Sequence, residues 1–205
     1  QNYDYELNEV FFKDLNIRKP DYFLNIKSGS ALTSIGKLLI SLDKLIDKLN
    51  PDCSLIYGDT NSCLSAIALK KKKIPIFHLE AGNRSFDENI PEEINRRIID
   101  HISDVNIVLA EHARRYLISE GMKQDYIVKI GSCMKEVIQK NINKIKKSKI
   151  LSKLKIKKKN YFLFSFHREE NVDEKLKLKS IVKSIKIISD NFKKKSIIST
   201  HPRTR

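Results

Sequence analysis

The sequence predicts an α/β protein built on parallel β-sheets, and three observations lead to this fold class. Short apolar runs rich in β-branched residues alternate along the chain with amphipathic stretches at helical spacing. The 205 residues are 40% hydrophobic, which is enough for a packed core and argues against disorder. No apolar run approaches the roughly 18 residues needed to cross a bilayer, so membrane insertion is not expected. Strand–helix alternation of this kind indicates parallel sheets covered by helices on both faces.

The first part of the chain carries a series of strand–helix units. Residues Leu32–Leu49 place apolar side chains at helical spacing, and Pro51 ends this predicted helix. A later predicted helix runs from Pro91 to about Ser103, because proline at the first position and acidic residues in the first turn suit a helix N-terminus. Strands are predicted at Cys53–Tyr57, Ile74–Leu79, Val105–Ala110 and Ile127–Ile130.

After a lysine-rich connection the alternation begins again. Strands are predicted at Tyr161–Phe166 and Ser196–Thr200, with a helix over Leu176–Asn191 between them. We therefore predict two Rossmann-like domains, at 1–145 and 160–205, joined by a basic connection at 146–159. The chain does not begin with Met and stops just after an apparent strand, so both domains are expected to be incomplete.

The composition restricts the kinds of site that are expected. A formal net charge of +15 would suit a nucleic-acid-binding module, but the lysine runs lie at helix ends and connections without interleaved aromatic residues. Nucleic acid is therefore not the expected partner. Cys53, Cys63 and Cys133 share no metal-ligand spacing, which favours reduced cysteines in a cytoplasmic protein without a metal. No GxGxxG or P-loop motif is present, so no cofactor is expected.

Carboxylates follow two of the predicted strands in the first domain, at the sheet edge where doubly wound folds bind ligands. Asp59 follows the first strand, and either capping of the next helix or a functional role would explain it. Glu80 lies between Leu79 and an Ala-Gly turn, where partial desolvation would raise its pKa and suit a general acid or base. Glu92 and Glu93 open the following helix, and the helix dipole accounts for one of them.

Basic residues follow the strands of the second domain. The adjacent pair His167 and Arg168 resembles an anion-binding site, and His201 with Arg203 repeats the pattern more weakly. Carboxylates at one edge and His/Arg groups at another suit proton abstraction beside a phosphate ester or diphosphate leaving group. A sugar nucleotide is the natural candidate substrate.

Several motifs occur along the whole chain in a characteristic order. They are GDTNS at 58–62, HLEAGNRSFD at 78–87, PEEINR at 91–96, SD at 103–104, EG at 120–121, GS at 131–132, HREEN at 167–171 and THPR at 200–203. Together they resemble the non-hydrolysing UDP-N-acetylglucosamine 2-epimerase family. The EAGNR and HREENVD segments are most similar to the subgroup that makes UDP-N-acetyl-L-fucosamine or 2-epimerises UDP-diacetamido-uronic acids.

The resemblance implies a glycosyltransferase-B-like fold with a UDP-sugar bound between two Rossmann-like halves. It also implies epimerisation at C2 by elimination and re-addition of UDP, for bacterial surface polysaccharides. By motif, Asp59, Glu80 and Glu92 match the family's catalytic carboxylates. His167 matches the histidine near the leaving diphosphate, and Arg168 is the matching anion contact.

Further expectations follow from the same resemblance. His201 is expected to bind substrate, and Gln1 matches a glutamine implicated in binding a second, allosteric UDP-sugar. Asp4 stands where such members often carry another glutamine. A homodimer is expected for the full-length protein, and the 205-residue chain alone is expected to be inactive. The alternatives are a sugar-nucleotide glycosyltransferase of the same fold and the basic nucleic-acid-binding module.

Overall fold

The structure is a computed structural model that describes residues 8–166 and 169–200, without the side chains of Glu169 and Glu170. The chain divides after Cys133 into two compact units, which we describe separately. Four residues singled out by sequence lie outside the described residues, namely Gln1, His167, Arg168 and His201.

The first unit alternates helices and strands. Its helices and strands are α1 (Glu9–Asp14), α2 (Ala31–Leu49), β1 (Ser54–Tyr57), α3 (Ser65–Lys71), β2 (Ile76–Leu79), α4 (Pro91–Ile102), β3 (Val105–Val108), α5 (Glu111–Ser119) and β4 (Ile127–Lys129). Short 3₁₀ turns precede α3 and β4, at Asn61–Leu64 and Gln124–Tyr126.

The four strands form one parallel sheet in the order β1-β2-β3-β4. Tyr57 pairs with Leu79, and Leu79 pairs with Ile107, so the carboxyl ends of the first three strands lie at one edge. The predicted α/β class with parallel strands is confirmed. This register brings the turns after β1 and β2 side by side, which is the geometry that the candidate site requires.

The core of the first unit lies on one face of this sheet. Ile76 of β2 packs with Ile99 of α4 and apolar residues of α2 and α3, while Val108 of β3 packs with Leu117 of α5. His78 has the same orientation as Ile76 because side chains alternate along a strand. His78 is fully buried, so the core face includes a polar group directly beside the candidate site.

The opposite face of the sheet is largely apolar and partly open to solvent. Leu55 and Tyr57 of β1 are 66% and 61% exposed, and Val128 and Ile130 at β4 are 46% and 57% exposed. We call these four residues the open sheet face. The strands are therefore apolar on both sides, as is typical of parallel sheets.

The second unit contains α6 (Met134–Lys147), α7 (Ile150–Lys153), β5 (Tyr161–Ser165), α8 (Glu169–Val172), α9 (Lys175–Phe192) and β6 (Lys195–Ser199). Strands β5 and β6 pair in parallel, and Ile185 of α9 is buried. The functional boundaries of the two domains stay a prediction. Across the described ranges, no helix is long and apolar enough to span a membrane.

Helix α2 offers a direct test of the fold. Ser30 caps its N-terminus by accepting a hydrogen bond from the Thr33 N–H at 3.1 Å. Gly36 lies inside this helix, and a Cβ built there meets no atom within 4 Å. We expect Gly36→Ala to raise the free energy of unfolding by about 0.5–1 kcal/mol, because alanine loses less backbone entropy. Urea unfolding followed by circular dichroism measures this change in the free energy of unfolding. A destabilised variant would contradict the placement of Gly36 inside α2.

Candidate active site

The turn after β1 places Asp59 at the carboxyl edge of the sheet. Gly58 adopts a left-handed backbone with φ of 75°, and its N–H donates to the Leu79 carbonyl at 3.0 Å. A Cβ on Gly58 would lie 3.6 Å from Oε2 of Glu80. The Glu80 carboxyl group therefore lies against the Gly58–Asp59 turn, and the structure brings these two predicted site residues together.

Glu80 follows β2 directly and has a left-handed backbone, with φ of 73°. Its N–H donates to the Ile107 carbonyl of β3 at 3.0 Å. This conformation costs free energy in a residue with a side chain, and such strain is concentrated at functional sites. Burial raises the pKa of Glu80, and the negative charge of Asp59 raises it further, against the opposing effect of Arg96. The predicted desolvation of Glu80 is confirmed.

Helix α4 holds Asp59 through two consecutive side chains. The Arg96 guanidinium donates to Oδ2 of Asp59 from Nε at 2.9 Å and from Nη2 at 2.5 Å. Asn95 Nδ2 donates to the Asp59 carbonyl at 3.0 Å and to Oδ1 of Asn61 at 2.9 Å. Asp59 is therefore fixed by α4 through both its backbone and its side chain.

The two adjacent glutamates of α4 have different environments. Glu93 is fully buried, and its Oε2 accepts hydrogen bonds from the Ser85 N–H and hydroxyl and from Arg96 Nη1, all within 2.9 Å. Burial opposes its ionisation, but these donors prevail and lower the pKa of Glu93. Glu93 and Arg96 thus form an ion pair within α4. Glu92 is exposed in the first turn, and among the described residues no hydrogen bond or ion pair joins it to Asp59 or Glu80.

A buried polar network lies beneath the Glu80 turn. The Asp100 carboxylate accepts from Gly82 N–H at 3.1 Å and from Arg84 Nη1 at 2.7 Å, and its Oδ1 lies 2.7 Å from His78 Nδ1. Arg84 also forms a two-point contact with Glu120, at 2.7 and 2.6 Å. Burial opposes the charge of Arg84, but the two carboxylates prevail and raise its pKa. Four charged or titratable side chains thus share one network.

Sequence reasoning gave neither His78 nor Arg96 a role at the site. Arg96 lies four residues after Glu92, which places both on the same side of α4. That spacing was the available signal for Arg96. His78 gave no signal, because a single histidine in an apolar strand is most simply explained as a core residue.

The site has no grouping that would hold a metal. Within 8–166 and 169–200, no three His, Cys, Asp or Glu side chains come together in that way. A cavity of about 310 Å³ lies near the N-terminus of α2, and its lining includes Ser28, Ser30, Leu38 and Asn61. Asn61 is the residue that Asn95 contacts, so the cavity adjoins the side chains that hold Asp59.

The arrangement of these side chains is suited to proton transfer. It combines a desolvated carboxyl group, Glu80, with a second carboxylate, Asp59, that is ion-paired to a guanidinium. A carboxyl group with a raised pKa exchanges protons more readily near neutral pH. Tyr57 lies beside Glu80, and although 61% of its surface is exposed, partial burial followed by the charge of Glu80 raises the pKa of its phenol.

Comparison with known proteins identifies the family. The family model described as UDP-N-acetylglucosamine 2-epimerase matches residues 1–205. UDP-N-acetylglucosamine 2-epimerase of Methanocaldococcus jannaschii is 39% identical over 209 residues, covering 100% of this chain and 57% of that protein. UDP-2,3-diacetamido-2,3-dideoxy-D-glucuronate 2-epimerase of Pseudomonas aeruginosa is 36% identical over 208 residues, with the same two coverages.

A solved structure agrees with these relatives. The structure of UDP-N-acetylglucosamine 2-epimerase from Rickettsia bellii superposes with a TM-score of 0.89 at 55% identity, covering 100% of this chain and 53% of that one. The chain thus spans about half the length of the proteins that it matches. The predicted fold class and resemblance are confirmed: this chain belongs to the UDP-N-acetylglucosamine 2-epimerase family.

Proposed function

We propose that this chain carries the acid–base edge of a non-hydrolysing UDP-sugar 2-epimerase. The observation that supports this most directly is the placement of Glu80 against the Gly58–Asp59 turn, with its pKa raised by burial and by Asp59. Arg96 holds the second carboxylate in place through an ion pair. The first-turn position of Glu92 on α4, the helix that holds Asp59, supports its inclusion as the third carboxylate.

The proposed substrate is a UDP-2-acetamido sugar, and the reaction inverts C2 in two steps. A carboxylate removes the C2 proton, the C–H electron pair forms the C1–C2 double bond, and UDP leaves with the electrons of the C1–O bond. UDP then adds back at C1 while a proton is delivered to the opposite face of C2. The mechanism needs acid–base groups on both faces of C2, and Glu80 and Glu92 are our proposal for these groups, with Asp59 beside Glu80.

Further roles are proposed for the residues outside the described part of the chain. His167 would act near the leaving diphosphate, while Arg168 and His201 would bind its negative charge. Gln1 would contact an allosteric UDP-sugar. A homodimer in the cytoplasm and a role in bacterial surface polysaccharide synthesis complete the proposal, without a cofactor or nucleic acid.

A chimeric enzyme tests the activity. The 205 residues replace the matching segment of the Rickettsia bellii protein, which is 55% identical. We call this protein the 2-epimerase chimera. Incubated with UDP-N-acetylglucosamine in deuterated buffer and no acceptor, it should incorporate deuterium at C2, as followed by NMR. The reason is that each reversible elimination exchanges the C2 proton with solvent.

Two controls make the result decisive. The isolated 205-residue chain should show no exchange, because the chain spans only about half the length of its relatives. A glycosyltransferase of the same fold would need an acceptor and would leave C2 unlabelled. Absence of C2 exchange in a folded chimera, tested also with a UDP-diacetamido-uronate, would contradict the proposed function.

A further inference from the structure

His78 links two segments of the candidate site through the protein interior. Its ring is fully buried, with Nδ1 2.7 Å from Oδ1 of Asp100 and Nε2 3.1 Å from the Gly58 carbonyl. A carbonyl oxygen only accepts hydrogen bonds, so Nε2 carries a hydrogen and donates it. The ring therefore connects α4 to the residue immediately before Asp59.

Asp100 extends the same link to the Glu80 turn. Its other oxygen, Oδ2, accepts from the Gly82 N–H at 3.1 Å, two residues after Glu80. The hydrogen-bonded pair of His78 and Asp100 thus ties both the turn after β1 and the turn after β2 to one helix, α4. Each of these turns contains a left-handed residue, Gly58 in the first and Glu80 in the second.

Core packing alone does not require this arrangement. Ile76, two residues before His78 on the same face of β2, is an ordinary apolar core residue. Placing an imidazole and a carboxylate in such a position costs desolvation free energy, which only a complete set of hydrogen bonds offsets. Buried polar groups that are fully bonded fix one geometry, whereas apolar contacts tolerate small shifts. The network is therefore suited to holding the turns after β1 and β2 at a fixed separation.

We propose that His78 is a positioning residue that fixes the separation of Asp59 and Glu80 through its hydrogen bond to the Gly58 carbonyl. The inference rests on the proposed function. In that function His78 would act through Asp59 and Glu80 without touching the substrate. If this bond is lost, the Gly58–Asp59 turn is free to shift relative to Glu80. A misplacement of about 1 Å at a reacting group costs roughly 100-fold in rate.

Two substitutions in the 2-epimerase chimera separate the two bonds of the ring. His78→Asn places an amide near the position of Nδ1 and keeps only the Asp100 contact, whereas His78→Gln places an amide near Nε2 and keeps the Gly58 bond. We expect His78→Asn to lower kcat for C2 exchange by about 100-fold, with KM changed by less than about threefold. His78→Gln should have a kcat at least about tenfold higher than that of His78→Asn.

The controls distinguish positioning from folding. His112→Gln alters an exposed histidine of α5, whose ring lies 5.9 Å from the Tyr116 ring between centroids, and should leave kcat unchanged. Thermal unfolding of each variant gives the folded fraction, and rates are compared per folded molecule. Equal kcat for His78→Asn and the parent chimera overturns the inference, as does an equal loss in the Asn and Gln variants. An inactive parent chimera would instead contradict the proposed function.

Discussion

Replacing Glu80 with Gln in the 2-epimerase chimera should lower the rate of C2 exchange by about 10²- to 10⁴-fold, the usual contribution of a general acid or base. Gln keeps the size of the side chain but cannot transfer the proton. In the parent chimera, exchange should also fall as the pH drops through the raised pKa of Glu80, because only the ionised carboxylate removes a proton. Deuterium incorporation measured across a pH series tests both statements.

The same substitution should stabilise the protein. The pKa of Glu80 is raised in the folded state, so its ionised form disfavours folding at neutral pH. Gln removes this effect, and we expect Glu80→Gln to melt at a higher temperature than the parent at pH 7. The difference should disappear below the ordinary glutamate pKa of about 4.3, where the carboxyl is neutral in both folded and unfolded chains.

A carboxylate in the same loop provides the matched control. Glu88 has a side chain that is 77% exposed and pairs with Arg97 at 3.0 Å. Glu88→Gln should change neither the exchange rate nor its pH dependence. Wild-type exchange in the Glu80→Gln variant would exclude Glu80 as the acid–base group, while the epimerase proposal itself would still rest on the parent chimera.

Replacing Gly82 with Ala should destabilise the fold strongly. Gly82 has φ of 77°, and a Cβ at this position would lie 2.5 Å from the Ala113 carbonyl oxygen of α5. The left-handed backbone and the overlap with a backbone atom both cost free energy, so we expect a loss of about 3 kcal/mol or more. Urea unfolding followed by circular dichroism measures the loss.

Substitution of Gly121 separates the cost of the left-handed backbone from the cost of the overlap with Ala113. Gly121 has φ of 88°, but a Cβ there meets no atom within 4 Å. Gly121→Ala should therefore cost only the conformational part, about 1–2 kcal/mol. Equal losses in the two variants would show that the close approach of the Gly82 turn to α5 is wrong. A much larger loss in Gly82→Ala supports that approach.

The sequence predicted the order of the elements well because their signals are local. Pro91 marks the start of α4, and apolar alternation marks the strands. The predicted second strand began at Ile74, whereas β2 begins at Ile76. Pro75 explains the difference, because it lacks the N–H that a strand residue donates. Such boundary shifts leave the fold class unchanged.

The site was predictable only where its residues follow strand ends. Asp59 and Glu80 were recognised in this way, and the structure brings them together. The partners that hold them were not recognised, because these contacts join residues far apart in the sequence. Arg96 lies 37 residues from Asp59, and Asp100 lies 22 residues from His78. The left-handed backbone of Glu80 was equally invisible, since glutamate rarely adopts it.

The open sheet face has a practical consequence for handling the chain by itself. Leu55, Tyr57, Val128 and Ile130 present apolar side chains to water, and β1 lies at the edge of the sheet in the described residues. Surfaces of this kind promote self-association, which grows with protein concentration. Added salt would strengthen that tendency, although the net charge of +15 opposes it in dilute buffer. Dilute, low-salt conditions therefore favour a monomeric preparation.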